Sequence, residues 1–207
     1  LALLEAAYGG RPPLDALRLF DSIDPAELAL VRRQLSTGVN TPLAHGMGRF
    51  FDGLAALAMA RPRATYEGQL AMSWERIAAP GEHEPYPLRT FDDDGLEVVD
   101  WSPLVRAACE DLLAAVDVSE ISARFHAAVV DHVGGAVRRI QADTAVSDVV
   151  LTGGCFVNAR LCEGVLSELD GSARVWLHGE IPPGDGGLAL GQAVAAAART
   201  RTHDGED

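Results

Sequence analysis

The sequence predicts a layered α/β fold, with helices packed on a small mixed sheet that contains a parallel pair. Three observations predict it. The closing segment alternates helix, strand, helix, strand, helix, the order that gives neighbouring parallel strands. The strand expected over 148–152 is built on the apolar run Val149–Leu151 and reads as covered on both faces. Residues 1–60 carry helical rather than alternating apolar spacing.

The first well-signalled helix is 25–38. It opens with Pro25, places Glu27 in its first turn and ends at Gly38, which suits the end preferences of helices. A second is expected over 40–60, capped by Asn40 or Thr41 with Pro42 in the first turn. Leu43, Met47, Phe50, Phe51, Leu54 and Leu57 share its apolar face, and Gly46, Gly48 and Gly53 interrupt it. Three glycines cost a helix stability, so they point to close approach of another group. A helix over 66–78 and a proline-rich connection over 79–87 follow. Residues 88–101 read as a hairpin of two alternating runs around Asp94-Gly95.

Helices are expected over 102–116 and 119–142, the second capped by Ser119 and carrying the stripe Ile121, Phe125, Val129, Val133, Val137 and Ile140. After strand 148–152 come a glycine turn, helix 157–169, strand 173–177, a proline-glycine loop and helix 187–199. The organisation expected is one globular domain or two small lobes over 1–199 and a disordered tail over 200–207.

The 207 residues are 48% hydrophobic and carry a formal net charge of −13. That is enough apolar material for a sizeable core, and a charge that repels nucleic acid and anionic membrane. A small anionic ligand stays open, because backbone amides and a metal ion act locally. The three cysteines, Cys109, Cys155 and Cys162, form no disulfide framework and fit a reducing cytoplasm. No apolar run is long enough to span a bilayer.

Two motifs carry chemistry. In 149-VVLTGGCFVNARLCEGVL-166, Gly153 and Gly154 end a strand with backbone angles closed to other residues, which exposes amides to phosphate oxygens. Asn158, expected in the first turn of the next helix, can turn its amide to the same place. The bland alternative is a tight turn that lets a helix pack closely on a sheet. In 180-EIPPGDGGLALGQAVAAA-197, Asp185 reads either as a helix cap or as a ligand to a divalent cation. Neither a GxxxxGK[ST] loop nor a GxGxxG fingerprint is present. His126 reads as a hydrogen-bonded core residue, and His45, His83 and His178 have no partners at metal spacing. Glu67 is either a first-turn carboxylate or a polar contact to a ligand, and Asp92-Asp93-Asp94 is a solvated turn.

Taken together, SxxxNTPLxxxMGRxFDxxAAL, YEGQxAM, SARFHAAVV, LTGGCFVNARL and IPPGDGGLALGQA resemble, in order over 1–199, the carboxyl-terminal region of HypF-type carbamoyltransferases. The resemblance implies the second lobe of a Kae1-like domain of the actin/hexokinase/Hsp70 (ASKHA) superfamily. It implies a protein that makes carbamoyl-adenylate from carbamoyl phosphate and ATP. The carbamoyl group then passes to the carboxyl-terminal cysteine of HypE and becomes cyanide on the iron of nickel-iron hydrogenase. By the same resemblance, Gly153, Gly154 and Asn158 match the nucleotide-contacting turn. Gly48, Arg49 and Asp52 match a phrase on the helix beside the pocket, and Glu67 and Gly68 a phrase near the adenosine. Asp185 matches the aspartate that binds the catalytic metal (Mg, Zn or Fe), which displaces the cap reading.

The partners implied are the first lobe, YrdC-like and acylphosphatase-like domains and HypE, with a homodimer through exposed apolar surface as a further expectation. The sequence departs from the family pattern at Ala44-His45-Gly46, at Val157, and in lacking the first-lobe HxxxH motif. This chain alone is therefore expected to be silent. Other readings are an O-carbamoyltransferase, a tRNA threonylcarbamoyl-transferase, which the charge disfavours, and a non-catalytic interaction module.

Overall fold

The computed structural model describes residues 1–44 and 46–203, with side chains to 200. The chain divides into two compact units, Leu1–Val133 and Gly134–Asp207.

The first unit is helical around one aromatic cluster. Helix α1 (Ala2–Ala7) is closed by Arg106, whose Nη1 donates to the Ala7 carbonyl at 2.6 Å. Helix α2 (Pro25–Thr37) starts at Asp24, which accepts from the Ala26 N–H at 2.7 Å, and stops at Gly38 with φ +73°. Helix α3 (Met47–Ala58) begins later than expected, because Asn40 takes φ +55° and Pro42 disfavours helical backbone at Thr41. Asn40 and Thr41 are thus not its caps, and Gly46 precedes it. A methyl group at 53 would lie 2.7 Å from Leu3 Cδ1, so Gly53 marks the close approach of α1. Helix α4 (Gln69–Ile77) starts three residues later than expected, since Gly68 stands at φ +77°. Glu67 therefore lies in the preceding turn rather than in the helix.

Strands β1 (Arg89–Asp93) and β2 (Leu96–Asp100) form the expected hairpin, paired Asp93 to Leu96, with Asp94 at φ +54° and Gly95 at φ +82°. Helix α5 (Ser102–Leu113) ends three residues early, and α6 (Val118–Asp143) spans the expected range. Its cap is Asp117, which accepts from the Ser119 N–H at 2.8 Å, so the aspartate and not Ser119 serves. Phe125 on α6 sits against Phe51 at 4.8 Å edge to face, Phe50 at 5.5 Å and the fully buried Trp74 at 6.0 Å. The stripe fades along α6: Ile121 and Phe125 are buried, and Ile140 is exposed. His126 is the core histidine expected, 1% exposed, with Nδ1 2.8 Å from the Ser122 carbonyl. The proline-rich connection is pinned by Tyr86, whose hydroxyl donates to Asp111 at 2.6 Å while Arg124 donates to the same oxygen at 2.7 Å. Burial, then the bond to Asp111, pushes the Tyr86 phenol far up.

The second unit builds the motif-bearing turn. Strands β3 (Asp148–Val150) and β4 (Arg174–Trp176) pair in parallel, Val149 opposite Val175. Helix α7 (Ala159–Glu168) lies between them in sequence, and α8 (Leu188–His203) closes the order. Among the described residues, the strands form two separate two-stranded ladders. The expectation that 148–152 is covered on both faces fails: Val150 is 61% exposed, and only Leu151, just past the strand, is buried. Helix is retained past 199 to His203, and 204–207 of the expected tail lie outside the described residues.

Candidate functional site

The site residues of the second unit lie at the carboxyl ends of β3 and β4. Gly153 has φ +100° and ψ 160°, a region essentially reserved for glycine. Its N–H donates to the Pro183 carbonyl at 2.7 Å, so this amide fixes the two motifs to each other and is not free for a ligand. A methyl group on Gly184 would meet Gly154 Cα at 3.5 Å, which shows how closely the PPGDGG loop lies on the turn. Gly187 is glycine for a packing reason, since a methyl group there would stand 2.7 Å from the Pro182 carbonyl oxygen.

Gly154 differs. A methyl group on it would meet no heavy atom within 4 Å among the described residues. No packing requirement among the described residues removes its side chain, and the direction a Cβ would take is open. A single 3-10 turn (Gly154–Val157) follows, and α7 opens at Ala159, two residues later than expected. Asn158 is the cap of that helix: its Oδ1 accepts from the Leu161 N–H at 2.9 Å. The cap orders the segment leaving the turn, so the asparagine has a local structural task besides any contact to a ligand.

Asp185 opens a 3-10 turn (Asp185–Gly187) ahead of α8 and is exposed. The cap position of that turn is Gly184, and Asp185 is its first residue, so Asp185 does not occupy the cap position expected of it. No group of three His, Cys, Asp or Glu side chains among the described residues could hold a metal ion. One carboxylate is present where the resemblance asks for a metal ligand.

The first unit carries the remaining predicted residues on neighbouring helices. Gly48 and Arg49 lie in the first turn of α3, with Asp52 one turn on and 4.0 Å from Arg49. A methyl group on Gly48, like one on Gly154, would meet open space. Glu67 is exposed, and Gly68 supplies the left-handed backbone that starts α4. Arg49 also lines a cavity of about 210 Å³ with Leu1, Leu4, Leu19, Leu54 and Leu57. Its lining is aliphatic apart from Arg49. His45 lies outside the described residues.

Sequence reasoning missed two residues of the second unit. Thr152 ends the run before Gly153, and His178 follows β4; His178 Nε2 lies 3.0 Å from Thr152 Oγ1. Asking only about metal spacing hid the histidine. Its position just beyond a strand end, level with the glycine turn, was the available signal.

This fold and turn define the chain as one lobe of a Kae1-like domain. Residues 1–192 match the family described as "Carbamoyltransferase, Kae1-like Domain, second subdomain", and the chain belongs to that family. Among its relatives is Carbamoyltransferase HypF of Rhodobacter capsulatus, 36% identical over 92% of this chain and 25% of the relative. Carbamoyltransferase HypF of Synechocystis is 32% identical over 79% of this chain and 21% of the relative. A crystal structure of full-length HypF, in its phosphate- and nucleotide-bound form, superimposes with a TM-score of 0.85 at 32% identity, over 94% of this chain and 26% of that one. The chain thus spans about a quarter of the length of these relatives. Among the described residues, no helix is long and apolar enough to cross a membrane.

Proposed function

We propose that this chain is the nucleotide-binding lobe of a HypF-type carbamoyltransferase, acting with a first lobe and with YrdC-like and acylphosphatase-like domains. The substrates are carbamoyl phosphate and ATP, which give carbamoyl-adenylate, and the acceptor is the carboxyl-terminal cysteine of HypE. In the transfer the thiolate sulfur bonds to the carbamoyl carbon, the bond from that carbon to the phosphate oxygen breaks, and AMP leaves with the electron pair. The residues of this lobe bind and orient; proton transfer is not assigned to any of them. A cytoplasmic site of action fits a chain whose three cysteines are too few and too scattered for a disulfide framework.

One observation carries the reading: Gly154 lacks a side chain at the end of a parallel pair although no atom of the described residues stands where a Cβ would be. Ligands of open α/β sheets bind outside the carboxyl ends of the strands, where a bare backbone lets phosphates come close. The names of the relatives and the nucleotide held by the full-length HypF neighbour point the same way. Asp185 has an electrostatic corollary. A carboxylate beside an anionic nucleotide repels it unless a divalent cation lies between them, so Asp185 offers one ligand to a metal completed outside this chain.

Calorimetric titration of ATP with magnesium into the complete protein tests the proposal. Saturable binding is expected, weakened about tenfold or more in Gly154→Val with an unchanged melting temperature, by the steric loss of one close phosphate approach. Equal affinity in the two proteins would overturn it.

A further inference from the structure

The carboxyl ends of β3 and β4 carry two polar side chains that the glycine turn does not require for its shape. Thr152 and His178 are both exposed, and both stand level with Gly153. The Pro183 carbonyl can only accept; it takes the Gly153 N–H at 2.7 Å and lies 3.4 Å from Thr152 Oγ1. With its proton directed there, the Thr152 oxygen is an acceptor for an Nε2–H of His178 at 3.0 Å. This arrangement offers a phosphate a donor only in the imidazolium, where Nδ1 carries an N–H; in the neutral Nε2–H tautomer Nδ1 has only a lone pair. It leaves Nδ1 of His178 without a hydrogen-bond partner among the described residues.

We propose that His178, anchored through Thr152, is a ligand-contacting residue that binds the phosphoryl oxygens of the nucleotide at the Gly153-Gly154 turn. The proposal rests on the nucleotide site proposed above. The two histidines His126 and His178 show why the role is not structural. His126 is buried in the core and bonded to the backbone of its own helix, where it packs. His178 is exposed, yet its ring is held through Nε2. A solvent-exposed hydrogen bond adds little to stability, so orientation is what the anchor supplies. Imidazole nitrogens that donate to phosphate form charge-assisted bonds, the stronger kind. In a chain of net charge −13, local donors must overcome a repulsive long-range field if an anion is to settle there. The charged groups on the same loop, Glu180 and Asp185, are both acidic, which leaves His178 as the cation-capable side chain of this loop.

The test compares ATP with adenosine, magnesium held constant, in the complete protein and in Gly154→Val, His178→Ala, His178→Asn and Thr152→Val. Loss of one charge-assisted contact should weaken ATP binding by His178→Ala about tenfold or more while leaving adenosine unchanged. His178→Asn, which keeps a donor, should recover part of it, and Thr152→Val, which frees the ring, should fall between. A structural role would move ATP and adenosine together, and that result overturns the proposal. ATP binding lost in Gly154→Val but unaltered in His178→Ala overturns the role of His178 alone. Wild-type protein that binds neither ligand sinks the nucleotide site, and this role with it.

Discussion

The two units hold themselves together by different means. Leu1–Val133 is organised around rings: Phe50, Phe51 and Trp74 are buried and each meets the buried ring of Phe125. In Gly134–Asp207 the buried apolar set is aliphatic and small, Leu151, Leu161, Val165 and Leu169. Its turn is shaped by glycine backbone, by the Gly153–Pro183 hydrogen bond and by the Asn158 cap. A packed aromatic core tolerates little change of volume, whereas a turn made of backbone tolerates little change of conformation. Within the second unit, the ligand-facing geometry is therefore kept by dihedral angles rather than by bulk.

The contrast breaks most sharply at Phe125. Phe125→Ala removes the ring that touches three aromatic neighbours and should cost about 3–5 kcal/mol, read as a lower urea midpoint with Trp74 fluorescence as reporter. A loss under about 1 kcal/mol would show that the cluster relaxes around the gap and is not the centre of that unit. Gly153→Ala tests the other side. Its backbone angles should cost about 1–3 kcal/mol although no atom is crowded, and the loop held by its N–H should detach. Unchanged stability would mean that the turn adopts another conformation cheaply.

The smallest effect concerns the hairpin, which belongs to the first unit but lies outside its core. Asp100 accepts from the Ser102 N–H at 2.9 Å and from Arg89 at 2.7 Å. The bonds to Ser102, with Arg89 behind them, hold its carboxyl below the usual range. A depressed folded value means this stabilisation is complete above the unfolded value of about 3.9 and is lost as pH falls through the lower folded one. In an NMR acid titration Asp100 should protonate below the ordinary aspartate value. Asp100→Asn should abolish that part of the hairpin's acid sensitivity, and a mutant with the same acid profile would count against the pairing.

Element types, the hairpin turn at Asp94-Gly95 and the parallel pair were legible because each depends on local periodicity or turn chemistry. The boundary errors are local in origin. Glycine and asparagine at positive φ moved the starts of α3 and α4, and a choice among adjacent polar residues moved the cap of α6 from Ser119 to Asp117. Short-range sequence signals fix such boundaries poorly, since neighbouring caps differ by less than the tertiary contacts that choose between them. Family membership, too, was written in the order of the motifs.

Tertiary structure alone separated the glycines by task. Gly53 and Gly187 make room for neighbouring atoms, Gly153 and Gly68 supply dihedral angles, and Gly48 and Gly154 face open space. The letters are identical, and only the atoms packed around each Cα differ. The same holds for the histidines: His126 and His178 are alike in sequence, and long-range folding buries one and sets the other at a strand end beside the turn. Local sequence reports what a residue can do; the surroundings that select among its possibilities come from residues distant in the chain.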